Sequence, residues 1–324
     1  MPLKYETENQ AKACFDGVYT APTPHDYIAQ MAKNGYEIGE QARPYCIAAA
    51  DVLKEHTEDA WPVQMLDIGC SYGMGSAFVK YGCSFDEMVA FFSTRAPRDP
   101  HAACEAMRAW INVTPPRYDV RCVGLDRSKP AIRFAMRAGL LDGGMARNFE
   151  NSDITPNAEE CSWLRSCNLL ISTGAIGYVT DRTIAHVVQH AGKDHPSEFG
   201  PLAVFTILRM FEARPIRDVF ENLGFRFEKV PGIMLPQRRF TDKNEREGVL
   251  KILHDKGVNT REWEDLGKQF AELFIAAKPA HFPELLEKMR ETQSRCINDE
   301  SERFTYINRF CGRCLPSRSP VPEV

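Results

Sequence analysis

Residues 63–75, Val-Gln-Met-Leu-Asp-Ile-Gly-Cys-Ser-Tyr-Gly-Met-Gly, carry a short apolar stretch straight into a glycine-punctuated turn. A run of roughly 4 to 8 mostly apolar residues ending in such a turn reads as a buried strand, and Gly69 and Gly73 give the chain room to turn tightly before a helix. Strand, tight turn and helix in that order form the opening unit of an open α/β sheet, whose ligands sit beyond the carboxyl ends of the strands. The helix after the turn begins with unpaired amides and positive dipole character, so it favours a carboxylate or phosphate.

The rest of the chain repeats the alternation. Further strands are predicted at 120–126, 146–149, 167–172, 202–208, 225–230 and 270–277, with helical periodicity between them. Ser128 with Pro130, Pro215 before Gly224, and Asp242 with Glu245 as a capping box are the helix boundaries. One helix is expected from Ile38, with Pro44 tolerable only near its first turn, and residues 1–26 read as a loop or arm because Pro22 and Pro24 interrupt any helix. Residues 83–117 read as a helical insertion and 281–308 as a last helical region before a tail. The expected fold is α/β, a doubly wound, seven-stranded, mostly parallel sheet. It divides into an arm and helix at 1–62 that can act as a lid, a ligand-binding domain at 63–280, and a helical extension at 281–324.

The chain has 324 residues, 44% of them apolar, enough to bury a sizeable core. Its 40 basic and 44 acidic residues leave a net charge of -4, without the basic excess that tracks a nucleic-acid backbone, so small or weakly charged partners are favoured. No stretch approaches the roughly 20 apolar residues of a membrane span, and no apolar run follows a basic N-terminus, which predicts a cytoplasmic protein. The 11 cysteines are scattered through predicted elements, as buried thiols in a reducing compartment are. Cys311 and Cys314 have metal-ligand spacing and Cys296 adds a third sulfur, but a closed zinc site needs four ligands, so no metal is expected.

A nicotinamide fingerprint, Gly-x-Gly-x-x-Gly, fails here because Ser71 and Met74 stand where its second and third glycines belong. The spacing Asp67-Ile68-Gly69-Cys70-Ser71-Tyr72-Gly73 instead resembles the first motif of class I S-adenosylmethionine-dependent methyltransferases, with Ser71 where that family usually has another glycine. Gly124-Leu125-Asp126-Arg127-Ser128 resembles their second-strand motif. The resemblance implies a Rossmann-like methyltransferase fold and S-adenosylmethionine as cofactor. It implies that Asp67 and the backbone from Gly69 through Cys70 and Ser71 to Gly73 hold the methionyl part. Asp126, beside Arg127, would accept hydrogen bonds from the ribose; Asp153 would lie near the adenine, and Ser172 and Thr173 would face the cofactor. The acid after the second strand usually follows the glycine turn by about 20 residues; the insertion at 83–117 accounts for the larger separation here, as a surface elaboration or as a wall built with Phe91, Phe92 and Trp110.

For the acceptor, Tyr27 and Tyr36 in the arm, Tyr178 after Gly174-Ala175-Ile176-Gly177, and Arg209 at the end of the fifth strand are the candidate substrate-binding residues. Each also has an ordinary reading, as a core ring or a surface ion pair. His25, His186 and His190 are candidate bases, though methyl transfer by in-line displacement does not require one. The sequence reading is therefore methyl transfer to nitrogen or oxygen of a small molecule, with no assigned catalytic residue. A nicotinamide-dependent oxidoreductase and a non-catalytic cofactor-binding scaffold are the alternatives.

Overall fold

The computed structural model describes residues 5–56, 63–151, 154–195 and 199–298. Helices α1 (Glu6–Gln10), α2 (Asp16–Tyr19), α3 (His25–Lys33) and α4 (Ile38–His56) lead into β1 (Val63–Ile68). Then come α5 (Met74–Tyr81), α6 (Phe85–Thr94), α7 (Pro100–Asn112), β2 (Val120–Asp126), α8 (Lys129–Ala138), β3 (Gly143–Ala146) and α9 (Ala158–Ser166). The chain continues through β4 (Leu169–Thr173), α10 (Asp181–His190), β5 (Leu202–Leu208), α11 (Arg214–Asn222), β6 (Arg226–Arg239), α12 (Lys243–Asp255), β7 (Lys268–Ala277) and α13 (Phe282–Asn298).

The strands form one seven-stranded sheet in the order β3-β2-β1-β4-β5-β7-β6. The pairs β1/β2, β1/β4, β2/β3 and β4/β5 are parallel, whereas β7 runs antiparallel between β5 and β6. The order therefore reverses between β1 and β4, the switch point where an open α/β sheet offers its crevice. β5 is buried at every position, as expected of a strand covered on both faces. The rings of Phe220 on α11, Phe227 on β6 and Phe274 on β7 stack in sequence at 5.1 and 5.3 Å between centroids, which fixes the antiparallel edge against its helix.

The expected architecture is present, with corrections at particular elements. The stretch read as a loop at 1–26 contains α1 and α2 and the start of α3. Their anchors are long-range hydrogen bonds that no local period announces: Asn9 Nδ2 donates to the Gly177 carbonyl (2.7 Å) and the Ala13 amide to Glu245 Oε1 (2.9 Å). α4 runs unbroken through Pro44, deep in its interior; burial of its apolar face outweighs the lost donor to the carbonyl four residues back.

β3 lies at 143–146 rather than 146–149. Its glycines are sites of close helix approach, since a Cβ at Gly143 would sit 3.0 Å from the Trp163 ring and one at Gly144 2.8 Å from Ile132. β6 extends to Arg239 instead of ending at 230. It is an edge strand with register shifts near Gly232 and Pro236, where proline and glycine are tolerated. Asp242 does cap α12 by accepting from the Glu245 amide, but Glu245 does not return the bond. Its carboxylate is instead held by Arg238, Thr241, Gln269 and Ala13.

Candidate active site

The site begins where β1 and β2 end. The turn after β1 folds back on β2, with the Gly69 amide donating to the Leu125 carbonyl at 2.7 Å. Gly69 and Gly73 both adopt positive φ (78°), and Gly73 opens α5. Ser71 also has positive φ, at 49°, a region a residue with a Cβ enters only at a cost. What holds it there is Asp126, whose Oδ2 accepts from the Ser71 amide (2.9 Å) while its Oδ1 accepts from the Ser128 amide (2.8 Å). The acid at the end of β2 thus pins both turns, and the insertion at 83–117 loops out without separating them in space.

Two buried polar groups stand out in this crevice. Asp67 is 2% exposed, accepts from the Ser76 hydroxyl (3.0 Å) and backbone amide, and burial pushes its carboxyl up to about 7. The Ser71 hydroxyl is buried with no hydrogen-bond partner. A buried acid beside a strained turn that carries an unpartnered hydroxyl marks a place built to meet a ligand. We expect Ser71→Gly, which relieves the backbone cost, to raise stability by up to about 1 kcal/mol in urea unfolding; a loss of stability would show that the serine side chain supports the turn.

One cavity joins this crevice to an aromatic chamber. It is lined by Gly69, Cys70, Ser71, Asp126, Arg127 and Ser128 on one side, by the segment 147–150 beyond β3, and by Tyr19, Tyr27, Tyr36, Tyr178 and Gln237 on the other. The arm forms part of the wall through Phe15, Tyr19 and Thr20. It is tied down by Tyr72, whose hydroxyl donates to the Val18 and Ala21 carbonyls (2.9 and 2.8 Å), and by Ser128 Oγ donating to the Tyr19 carbonyl at 2.7 Å. In the chamber the Tyr36 hydroxyl hydrogen-bonds the Tyr27 and Thr173 side chains. Burial raises the phenols of Tyr27, Tyr36 and Tyr72, which keeps them protonated at neutral pH.

No family model matches the chain, and no curated protein matches it. Among solved structures it is similar to a putative methyltransferase from Thermoplasma acidophilum, at 13% identity over 67% of this chain and 68% of that one, with a TM-score of 0.32. It is also similar to the plantazolicin methyltransferase BamL, solved with a desmethyl analog and SAH, at 10% identity over 84% of this chain and 97% of that one, TM-score 0.39. A third likeness is to geranyl diphosphate C-methyltransferase from Streptomyces coelicolor A3(2), at 13% identity over 72% and 78%, TM-score 0.32. The site is built from this chain's own residues.

Of the residues singled out in the sequence, Asp67, Gly69, Cys70, Ser71, Asp126, Arg127 and Thr173 line the cavity, as do Tyr27, Tyr36 and Tyr178. Gly73 stands just outside it, at the cap of α5. Asp153, Cys311 and Cys314 lie outside the described residues. Ser172 does not face the cavity: it is fully buried, and its Oγ donates to the Ile68 carbonyl across the β1/β4 pair (3.0 Å). Arg209 is elsewhere too, in a buried ion pair with Glu264 (2.6 Å) that also reaches the Asn259 carbonyl.

None of the three histidines lines the cavity. His25 bridges Thr23 and the Ala96 carbonyl and sits edge-on to Phe92, joining the arm to the insertion; His186 stacks on Phe149. Phe91 packs edge-on to Phe92 and against Trp110, and none of the three lines the cavity. Several lining residues had no sequence signal. Phe15, Tyr19 and Thr20 lie in the arm, and Gln237 on the unforeseen end of β6. Glu150 reaches the first turn of α10, accepting from the Thr180 amide and hydroxyl and from Thr183 (2.8, 2.6 and 2.6 Å). For Glu150 an acid after a strand was the available clue.

Proposed function

We propose that this chain is a cytoplasmic S-adenosylmethionine-dependent methyltransferase acting on nitrogen or oxygen of a small molecule. The observation that carries the reading is the turn after β1, tied by Asp126 to the end of β2 and opening into the same cavity as the tyrosine chamber. The residues present fit the cofactor. Asp67, a buried carboxylate lacking a cation among the described residues, suits an ammonium, and the unpartnered Ser71 hydroxyl suits a carboxylate, so the two ends of an amino acid are provided for. Asp126 retains lone pairs for ribose hydroxyls, and the segment 147–150 supplies the adenine wall. The sheet supports the same reading: β7 inserted antiparallel before the edge strand departs from the dinucleotide order 3-2-1-4-5-6.

When bound, S-adenosylmethionine supplies an electrophilic methyl group whose bonding pair stays with sulfur as the acceptor's lone pair takes the carbon. The chain's contribution is alignment and exclusion of water. The arm over the crevice, Tyr27 and Tyr36 beside Thr173, and the buried turn close the site. Residues 1–62 act as the cover, 63–280 as the cofactor-binding domain and 281–324 as an extension, and among the described residues no helix is long and apolar enough to cross a membrane.

Calorimetry with S-adenosylmethionine, S-adenosylhomocysteine and NAD tests the reading. The first two are expected to bind and NAD is not. Tight NAD binding with no response to either adenosyl compound sinks it, and adenosyl binding without turnover on any of a broad acceptor panel favours the scaffold.

A further inference from the structure

We infer that the acceptor is an uncharged aromatic ring carrying an N–H or O–H group, which Gln237 recognises. The inference rests on the cofactor reading above and concerns the other half of the same cavity. That half is walled by Phe15, Tyr19, Tyr27, Tyr36 and Tyr178, and Gln237 closes it from the extended end of β6. Gln237 is 6% exposed, and its Oε1 is buried without a hydrogen-bond partner. Its amide lies beside the turn after β4, with Nε2 3.0 Å from where a Cβ of Gly174 would stand. A buried carbonyl oxygen left unpaired on a residue that lines a cavity is a group that a ligand donor completes.

The walls define the rest of the ligand. Rings from several elements offer flat, apolar faces that suit stacking against another ring. On the cofactor reading the acids that line the cavity are already committed: Asp67, beside Tyr27 and Tyr36, to Ser76 and the cofactor's ammonium, Asp126 to the ribose, and Glu150 to Thr180 and Thr183. A charged acceptor in the chamber would be buried without a counter-ion. A protonated amine must also lose a proton before it can take a methyl group, and among the side chains that line the chamber the phenols of Tyr27 and Tyr36 stay protonated. The acceptor therefore arrives neutral. Gln237 orients it through a donor, and the atom methylated is one that is nucleophilic as it stands.

Indole and benzofuran separate the donor from the ring, since they match in shape and only indole has an N–H. Calorimetry or saturation-transfer NMR on the full chain loaded with S-adenosylhomocysteine should show indole binding at least tenfold tighter than benzofuran, and benzylammonium binding more weakly than either. In Gln237→Leu the preference for indole should disappear while the affinities for benzofuran and S-adenosylhomocysteine stay at wild-type levels. Gln237→Met provides the same comparison if the leucine variant fails to fold. Equal affinities for indole and benzofuran in the wild type, a preference that survives in a folded Gln237 variant, absent indole binding, or tighter binding of benzylammonium overturns the inference. Failure of the cofactor reading shows separately, as absence of S-adenosylhomocysteine binding to the wild-type chain.

Discussion

Asp67→Asn is expected to make the ligand-free protein more stable at pH 8 while removing most of its affinity for S-adenosylmethionine. The carboxyl of Asp67 lies in the core between β1 and α5, where burial raises it from an ordinary value near 3.8 to about 7. Between those two values the folded chain holds a proton that the unfolded chain has released. Folding stability therefore falls as pH rises from about 4 to 7, and above 7 the ionised group remains a cost. The interval from 3.8 to about 7 sets an upper bound of about 4 kcal/mol on that cost. Relaxation and water entry reduce it, so we expect asparagine to recover about 1–2 kcal/mol at pH 8, a few degrees in Tm, and nothing near pH 4. Asparagine can still accept the Ser76 hydroxyl bond.

For the ligand the sign reverses. An ammonium beside the ionised carboxylate forms a charge-assisted pair of about 1.5–3 kcal/mol, so the substitution should weaken binding by roughly 10- to 150-fold. Wild-type affinity should climb from pH 5.5 to 7.5 as Asp67 ionises, and that slope should be missing in the variant. Thermal melts at the two pH values and calorimetric titrations across the range check both halves. Equal Tm at pH 8 together with unchanged affinity would falsify the assignment of Asp67 as a strained, ligand-directed acid.

The turn at 69–73 was legible because its geometry is local: a glycine must stand wherever the backbone takes positive φ without strain, and the strand before it is a plain apolar run. Asp126 was legible for the same reason, as an acid ending a strand ahead of a Ser-x-Pro helix opening. The chamber was only partly legible. Tyr27, Tyr36 and Tyr178 stand out in the sequence as isolated aromatics, but Phe15 and Tyr19 lie on a segment whose fold depends on bonds to Glu245, Tyr72 and Ser128, far away in sequence. Gln237 was hidden because Pro231, Gly232 and Pro236 look like strand terminators. Only the edge position of β6, a property of the assembled sheet, lets the strand run past them. Arg209 misled for the converse reason: it ends β5 on schedule, but a carboxylate from the 3-10 turn Glu264–Leu266 claims it.

The second large effect is expected from Asp126→Ala, for a reason beyond the ribose contact alone. Its two oxygens hold the Ser71 and Ser128 amides, so truncation leaves two poorly hydrated N–H groups without partners at about 1–3 kcal/mol each. It also frees Ser71 to leave its strained conformation, and the turn loses the shape that a ligand would meet. We therefore expect a loss of about 2–4 kcal/mol in stability and at least a 100-fold loss in S-adenosylhomocysteine affinity. Titrations with fragments separate the two contributions. Adenosine carries the ribose hydroxyls and methionine does not, so a role confined to the ribose weakens adenosine alone. A role in shaping the turn weakens methionine as well, and that is the outcome the paired amide bonds lead us to expect. Wild-type affinity for methionine in a folded Asp126→Ala protein would show that the turn keeps its shape unaided, leaving Asp126 as a ribose ligand only.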